Sequence, residues 1–445
     1  MLPHRIKVLN KKKQWLWICV IIVTAISRIC WYMVQKPYAT TNDSPEYISF
    51  GTLEVLRGNL GATLGRPPLY GFFLDLMEFL FGANYLVAVK YVQIFVSLLS
   101  VFIFARLLRR LGVSSPWREF SVLLYGVSPA IVGWDNMILT ESFSLAGVIV
   151  FFYWIVLYIQ DQRLLYGILA HLMTVMLIFL RPQFLVYLAL LFVFLILKMV
   201  FPANQAERKK IIILLILQLF LWGAILGYCL LFQREFGVFS LTTTSVRQDL
   251  KICIDREYYL EFDDKEVADF VSNCMATQQD AWKACEDTIA QYGRQQINLV
   301  TSNFFSDHFA RYIFDTFKVM AGDMKTYFCG YGLEGYNVAN ESGALPQIYN
   351  IQIGLFQYMT VGHALLASVL EGIAMVVVWV RSRKIPWIHT ALFSISVCTT
   401  FLTYFITCGE YMRTMISIVP YLYCMAAMFL QMCTSYFSGR QAQNI

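Results

Sequence analysis

Charged residues are scarce in this sequence. They form 14% of its 445 residues, against a hydrophobic share of 58%, whereas soluble domains carry about a quarter charged residues. The deficit excludes an ordinary water-soluble fold and leaves lipid as the solvent for most of the chain. No Cys-x-x-Cys occurs among the eleven cysteines, so neither a zinc ribbon nor a dithiol redox motif is read. A phosphate-cradling or dinucleotide glycine motif is also missing. Internal repeats, heptads and low-complexity tracts are absent, which excludes solenoids and coiled coils. The net charge is only +6, and the basic residues stand beside apolar stretches. There they orient a membrane protein, and a nucleic-acid partner is not expected.

What is present is a series of apolar stretches. A membrane span needs about 20 mostly apolar residues. Ten candidates fit, at roughly 15–34, 85–105, 119–134, 142–159, 164–180, 183–200, 211–232, 355–380, 386–407 and 414–436. The first follows Lys11, Lys12 and Lys13 and has no small-residue cleavage site after it, so it reads as an uncleaved span. Every second connection is basic: Arg106, Arg109, Arg110 and Arg118, then Arg163, then Lys198 and Arg208 to Lys210, then Arg381 to Lys384, then Arg440 in the tail. This bias puts both termini in the cytoplasm, with the plasma membrane the expected site. The fold class is an all-α polytopic membrane protein. It divides into a membrane module (1–232), an external segment (233–354) and C-terminal spans (355–445).

Seven cysteines lie in or beside spans, where they act as small apolar residues. Cys253, Cys274, Cys285 and Cys329 lie in the external segment and allow three pairings if it faces an oxidising space.

Two external connections are long, 35–84 and 233–354. In the first, Ser44-Pro45-Glu46 reads as a helix start, with Ser44 as N-cap and Pro45 at the first helical position. The segment after it is amphipathic and should lie in the interface plane. Leu69 to Phe81 is a second short, strongly apolar helix. The second connection is polar and partly helical.

Ionisable groups recur on the outer side. Asp43 and Glu46 flank a helix start, where carboxylates stay ionised. Such a pair can take a proton from an alcohol, bind a divalent cation, or merely favour the helix end. Arg66 precedes Pro67-Pro68, which fixes an extended backbone and presents the guanidinium rigidly to a phosphate or a lipid headgroup. Asp135 and Glu141 cap consecutive spans, and Arg181-Pro182 joins two spans with almost no loop. Glu410 and Arg413 are spaced to pair on one helical face. Arg28, His171, His363 and Glu371 lie within spans, where each needs a partner or a cavity. For Glu371 an interhelical hydrogen bond, for example to a histidine, is the plain reading. Together, carboxylates and arginines at one membrane face suit a reaction that expels a phosphate from a lipid.

With these pieces in order, the sequence resembles the membrane glycosyltransferases of the C-type fold, which include dolichyl- and polyprenyl-phosphate sugar transferases of the protein mannosyltransferase and aminoarabinose transferase kind. The resemblance rests on Arg28, Asp43-Ser44-Pro45-Glu46-Tyr47, Arg66-Pro67-Pro68-Leu69-Tyr70, Leu139-Thr140-Glu141-Ser142, Leu180-Arg181-Pro182, and Glu410-x-x-Arg413 before Pro420. It implies a lipid-phosphate sugar donor, inversion at the sugar carbon, and Asp43 as catalytic base with Glu46 beside it. Arg66, Arg181 and Arg413 are the candidate donor-phosphate ligands, and Tyr70, Asp135, Glu141 and Glu410 the supporting residues. Members often carry two adjacent acids in the first external loop. This chain has Asp43-Ser44 with Glu46 further on. No cofactor is required by the sequence, and a divalent metal remains an option. The expected partners are a lipid-linked sugar, membrane lipid, and an acceptor that is a lipid, glycan or protein. The competing classes are a secondary transporter or lipid flippase, or an envelope polysaccharide polymerase or ligase.

The alternating basic loops make one direct prediction. Cysteines introduced near Arg208 should react with membrane-impermeant reagents only after the cytoplasmic side is opened. Labelling from outside intact cells would invert the topology.

Overall fold

The computed structural model describes residues 2–34, 38–201, 205–328, 344–356, 359–409 and 411–437. Glu410, Cys329 and Arg440 lie outside the described residues. Within them the architecture is all-helical, and extended pairing is limited to two isolated bridges, Ala39 with Met137 and Tyr327 with Thr360.

Eight helices among the described residues are long and apolar enough to cross a membrane: Trp15–Met33, Pro68–Arg110, Glu141–Asp161, Pro182–Val200, Gln205–Phe236, Val361–Ser382, Trp387–Ile406 and Tyr411–Thr434. Two of the ten expected spans fall short of that standard. Leu164–Leu180 is apolar with 17 residues. The stretch 119–134 is broken into the helices Trp117–Val127 and Pro129–Val132. Ser128 is extended there, because the ring of a following proline clashes with a helical residue before it. Eleven helical residues reach only about 16 Å, roughly half the hydrocarbon thickness.

Burial separates central from peripheral helices. Glu141–Asp161 and Tyr411–Thr434 are buried over 72% and 67% of their apolar windows, against 22–44% for the other six. Both begin beside the ionisable cluster described below. Helices that are apolar all round belong either to a packed centre or to lipid, and these two take the centre.

The four within-span groups singled out in the sequence, Arg28, His171, His363 and Glu371, each find a partner. Arg28 donates to the Gly126 carbonyl at 2.6 Å and to Ser97 Oγ at 2.8 Å, and its Nε lies 3.3 Å from Asp135. His171 is hydrogen-bonded to the Gly167 carbonyl and to Gln218, both at 2.8 Å, and His363 to Thr360 at 2.8 Å. Glu371 pairs with His389 Nδ1 at 2.7 Å, as the plain reading expected. The two line an apolar cavity of about 180 Å³ with Leu and Met side chains.

The described part of the segment 233–354 carries an apolar core. Val246, Leu250, Val267, Ile297 and Phe304 meet from the helices Thr244–Asp255, Lys265–Gln278 and Arg294–Asp307. Cys253, Cys274 and Cys285 are buried in this core as free thiols, so none of the three pairings involving two of them is formed.

Candidate active site

Local structure explains how Asp43 is placed. The chain before it pairs with the loop ahead of Glu141. Ala39 N donates to the Asn136 carbonyl, and Ile138 N donates to the Ala39 carbonyl, both at 2.9 Å. Ser44 was expected as the N-cap of the helix Ser44–Ile48. Asp43 holds that position instead, without a side-chain cap bond. Ser44 Oγ is used elsewhere, donating to the Ile138 carbonyl at 3.0 Å. These bonds fix Asp43 against the start of the helix Glu141–Asp161.

Arg66 is placed by a second close approach. Gly65 has φ +78°, and a Cβ there would lie 2.2 Å from Thr243 Oγ1. Only glycine suits both the left-handed backbone and that contact. Its carbonyl accepts from Thr243 N at 2.9 Å and from Thr242 Oγ1 at 2.8 Å. The segment 233–354 therefore docks one residue before Arg66. The Arg66 guanidinium sits over the Tyr47 ring, 5.3 Å from its centroid.

The two arrangements converge on a cleft of about 480 Å³. Asp43 is the junction. Its Oδ1 accepts from Arg66 Nη2 at 2.7 Å and its Oδ2 from Arg413 Nη1 at 2.6 Å. Arg66 also donates to Glu46. Arg413 also donates to Glu141, whose carboxylate lies 2.8 Å from Arg181. Arg247 extends the chain of charges, 3.5 Å from both Glu46 and Glu286. Four guanidinia and four carboxylates thus alternate. Burial alone would push the Asp43 carboxyl up. The Arg413 and Arg66 guanidinia overcome this and hold it well below the usual carboxylate range, so Asp43 is ionised.

Five sequence candidates, Asp43, Arg66, Arg181, Arg413 and Glu46, with Glu141 behind them, meet in this network. Two supporting candidates do not. Tyr70 is fully buried, packs edge-on against Tyr47 and donates to Gln93 at 2.8 Å. Asp135 is also buried, paired with Arg28 and accepting from Ser142 Oγ at 2.9 Å. Glu410 lies outside the described residues. Arg247, Gln248, Trp282 and Glu286 line the cleft but were not singled out in the sequence. The hydroxyl-rich run before Arg247, Ser240 to Ser245, was the only local signal.

Among the described residues, no group of three or more His, Cys, Asp or Glu is arranged to hold a metal ion. The Asp43–Glu46 pair does not fit one as placed. Both oxygens of each carboxylate face guanidinium groups, which would repel a cation at the same point.

No protein-family model matches the chain, and no curated protein sequence does. Among solved structures, the chain is similar to the archaeal oligosaccharyltransferase AglB from Archaeoglobus fulgidus in complex with an inhibitory peptide and a dolichol-phosphate. The identity is 11% and the TM-score 0.47, over 98% of this chain and 53% of that one. It is also similar to the Archaeoglobus fulgidus oligosaccharyltransferase in complex with Zn and sulfate, at 10% identity and TM-score 0.46, over 93% of this chain and 50% of that one. The chain spans about half the length of both.

Glu141 is fully buried and neutralises two arginines. Glu141→Ala should destabilise the protein by about 3–5 kcal/mol, because it leaves buried guanidinia without their carboxylate. A clear fall in Tm in detergent checks this, and an unchanged Tm would show that water replaces the carboxylate.

Proposed function

We propose that this protein is an inverting glycosyltransferase that moves a sugar from a polyprenyl-phosphate donor to an acceptor hydroxyl at the outer membrane face. The observation that carries the reading is the meeting of Arg66 and Arg413 on the single carboxylate of Asp43 in the wall of an open cleft. A base and anion-binding groups a few ångströms apart are what transfer from a phosphate leaving group needs. The reading takes the chain as ten-pass, with both termini cytoplasmic and the cleft outside. The membrane module and the C-terminal spans then supply the charges, and the external segment closes the cleft.

In the proposed step, the acceptor oxygen attacks the anomeric carbon from the face opposite the phosphate. A carbon–oxygen bond forms there while the bond to the phosphate oxygen breaks, and its electron pair stays on the phosphate. Asp43 takes the acceptor's proton. Arg66, Arg181 and Arg413 stabilise the charge gathering on the phosphate. Glu141 holds Arg413 and Arg181 from behind. Glu46 orients Arg66. A transporter reading would lean on Glu371, but that carboxylate is buried and bonded to His389.

Asp43→Asn is the decisive variant. It keeps the size of the side chain and removes its charge, so transfer from labelled polyprenyl-phosphate sugars should fall about 10²–10⁴-fold with the protein still folded. Wild-type activity in this variant would remove Asp43 as the base. Glu46→Gln should lose less, and a chelator should change neither result. Equal losses for both variants, with chelator sensitivity in the wild type, would instead place a metal between the two acids. The acceptor that gains label tells a polymerase or ligase from a transferase acting on protein or lipid.

Arg66→Ala should leave the protein inserted and weaken use of the donor about tenfold or more, the value of one charged hydrogen bond to phosphate. Unchanged kinetics would make Arg66 a lipid anchor only.

A further inference from the structure

Each arginine of the network is already neutralised by the chain itself. Arg66 serves Asp43 and Glu46, Arg413 serves Asp43 and Glu141, Arg181 serves Glu141, and Arg247 serves Glu46 and Glu286. A phosphate seeks the same guanidinium N–H groups that these carboxylates occupy. Arg66 Nη2 and Arg413 Nη1 are both held by Asp43, so a phosphate that bridges the two arginines at that point must exchange with its carboxylate.

The carboxylates differ in how far they can yield. Glu141 is 0% exposed and is the first residue of the most buried helix. Moving its charge would take a carboxylate from both Arg413 and Arg181 in a buried site. Asp43 is 26% exposed, stands on a connection and lines the cleft directly. Its rotation toward the cleft exposes the carboxylate to water without breaking a helix.

We propose that the donor phosphate displaces the Asp43 carboxylate from Arg66 and Arg413 while Glu141 stays in place, so that the base is released only when the donor is seated. This rests on reading the site as a lipid-phosphate glycosyltransferase. Before the exchange, each Asp43 oxygen accepts a guanidinium hydrogen bond. After it, the carboxylate faces the acceptor with its lone pairs unshared. Once Asp43 has taken the acceptor's proton it is neutral and does not compete for the arginines. When that proton passes to water, the carboxylate regains its charge, re-pairs with Arg66 and Arg413, and expels the lipid phosphate. One side chain thus links donor binding, proton transfer and product release.

The test is equilibrium binding of polyprenyl phosphate and of polyprenol to the full chain in nanodiscs. Wild type should prefer the phosphate lipid. Asp43→Asn should bind polyprenyl phosphate about tenfold or more tightly than wild type, with polyprenol binding unchanged. Glu286→Gln removes a charge from the same cleft but touches Arg247 alone, and should change little. Equal tightening in both variants would reduce the effect to general electrostatics and overturn the exchange. Asp43→Asn binding no better than a wild type that still prefers the phosphate lipid would also overturn it, leaving the transferase reading intact. A wild type without preference for the phosphate would overturn that reading itself. If Asp43→Asn fails to fold, Glu46→Gln replaces it. It frees Arg66 of one competitor and should tighten binding by a smaller factor, and no tightening would count against exchange.

Discussion

The structure depends on one constraint: a guanidinium or carboxylate taken out of water must meet its opposite. Asp43 meets two, Arg66 from its own connection and Arg413 from 370 residues further along the chain. The chain ends of the membrane bundle are joined at that carboxylate. Each neighbouring charge then needs a partner of its own, and the need propagates outward. Glu141 answers Arg413, Arg181 answers Glu141, Glu46 answers Arg66, and Arg247 answers Glu46. Backbone details follow from this demand. The pairing of Ala39 with residues 136–138 brings Asp43 to Glu141, and Gly65 permits the approach of Thr243 that brings in Arg247.

Such a network is an uncertain source of stability, since desolvation offsets much of the attraction between buried ions. Its gain lies in placement. Guanidinia held by carboxylates on two sides lose little further entropy when a ligand arrives, which is the advantage of preorganised charge. The cost is that a ligand anion must compete with the carboxylates already there.

Sequence legibility followed the local solvent. In apolar surroundings a charge is expensive and therefore conspicuous, so Asp43, Arg66, Arg181, Arg413 and Glu141 could be read as a set. Glu371 was readable for the same reason, and its partner is the kind expected. In the polar segment 233–354 a charge is ordinary, and Arg247 and Glu286 look like any solvated residues. Only tertiary docking at Gly65 reveals them. Tyr70 stands outside the charged network because nearness in sequence to Arg66 does not give shared direction. The helix Pro68–Phe81 turns its ring inward to Tyr47 and Gln93. The stretch 119–134 is not one continuous helix, because composition does not register the backbone break before Pro129.

Asp135 and Glu141 show how two acids only six residues apart acquire different work. The turn that Asp135 N makes to the Val132 carbonyl carries Asp135 toward the first helix, where Arg28 waits with Ser97 and Gly126 as its other partners. Glu141 starts the next helix and faces the opposite way, toward Arg413 and Arg181. Had both acids faced the cleft, their repulsion would have raised the cost of keeping Asp43 ionised nearby. Sending Asp135 to Arg28 removes that repulsion. The same pair fastens the first helix to the loop whose residues 136–138 hold Ala39 and Ser44. A salt bridge outside the cleft therefore helps set where the Asp43 carboxylate stands, and it does so through backbone bonds, without contributing charge to the cleft.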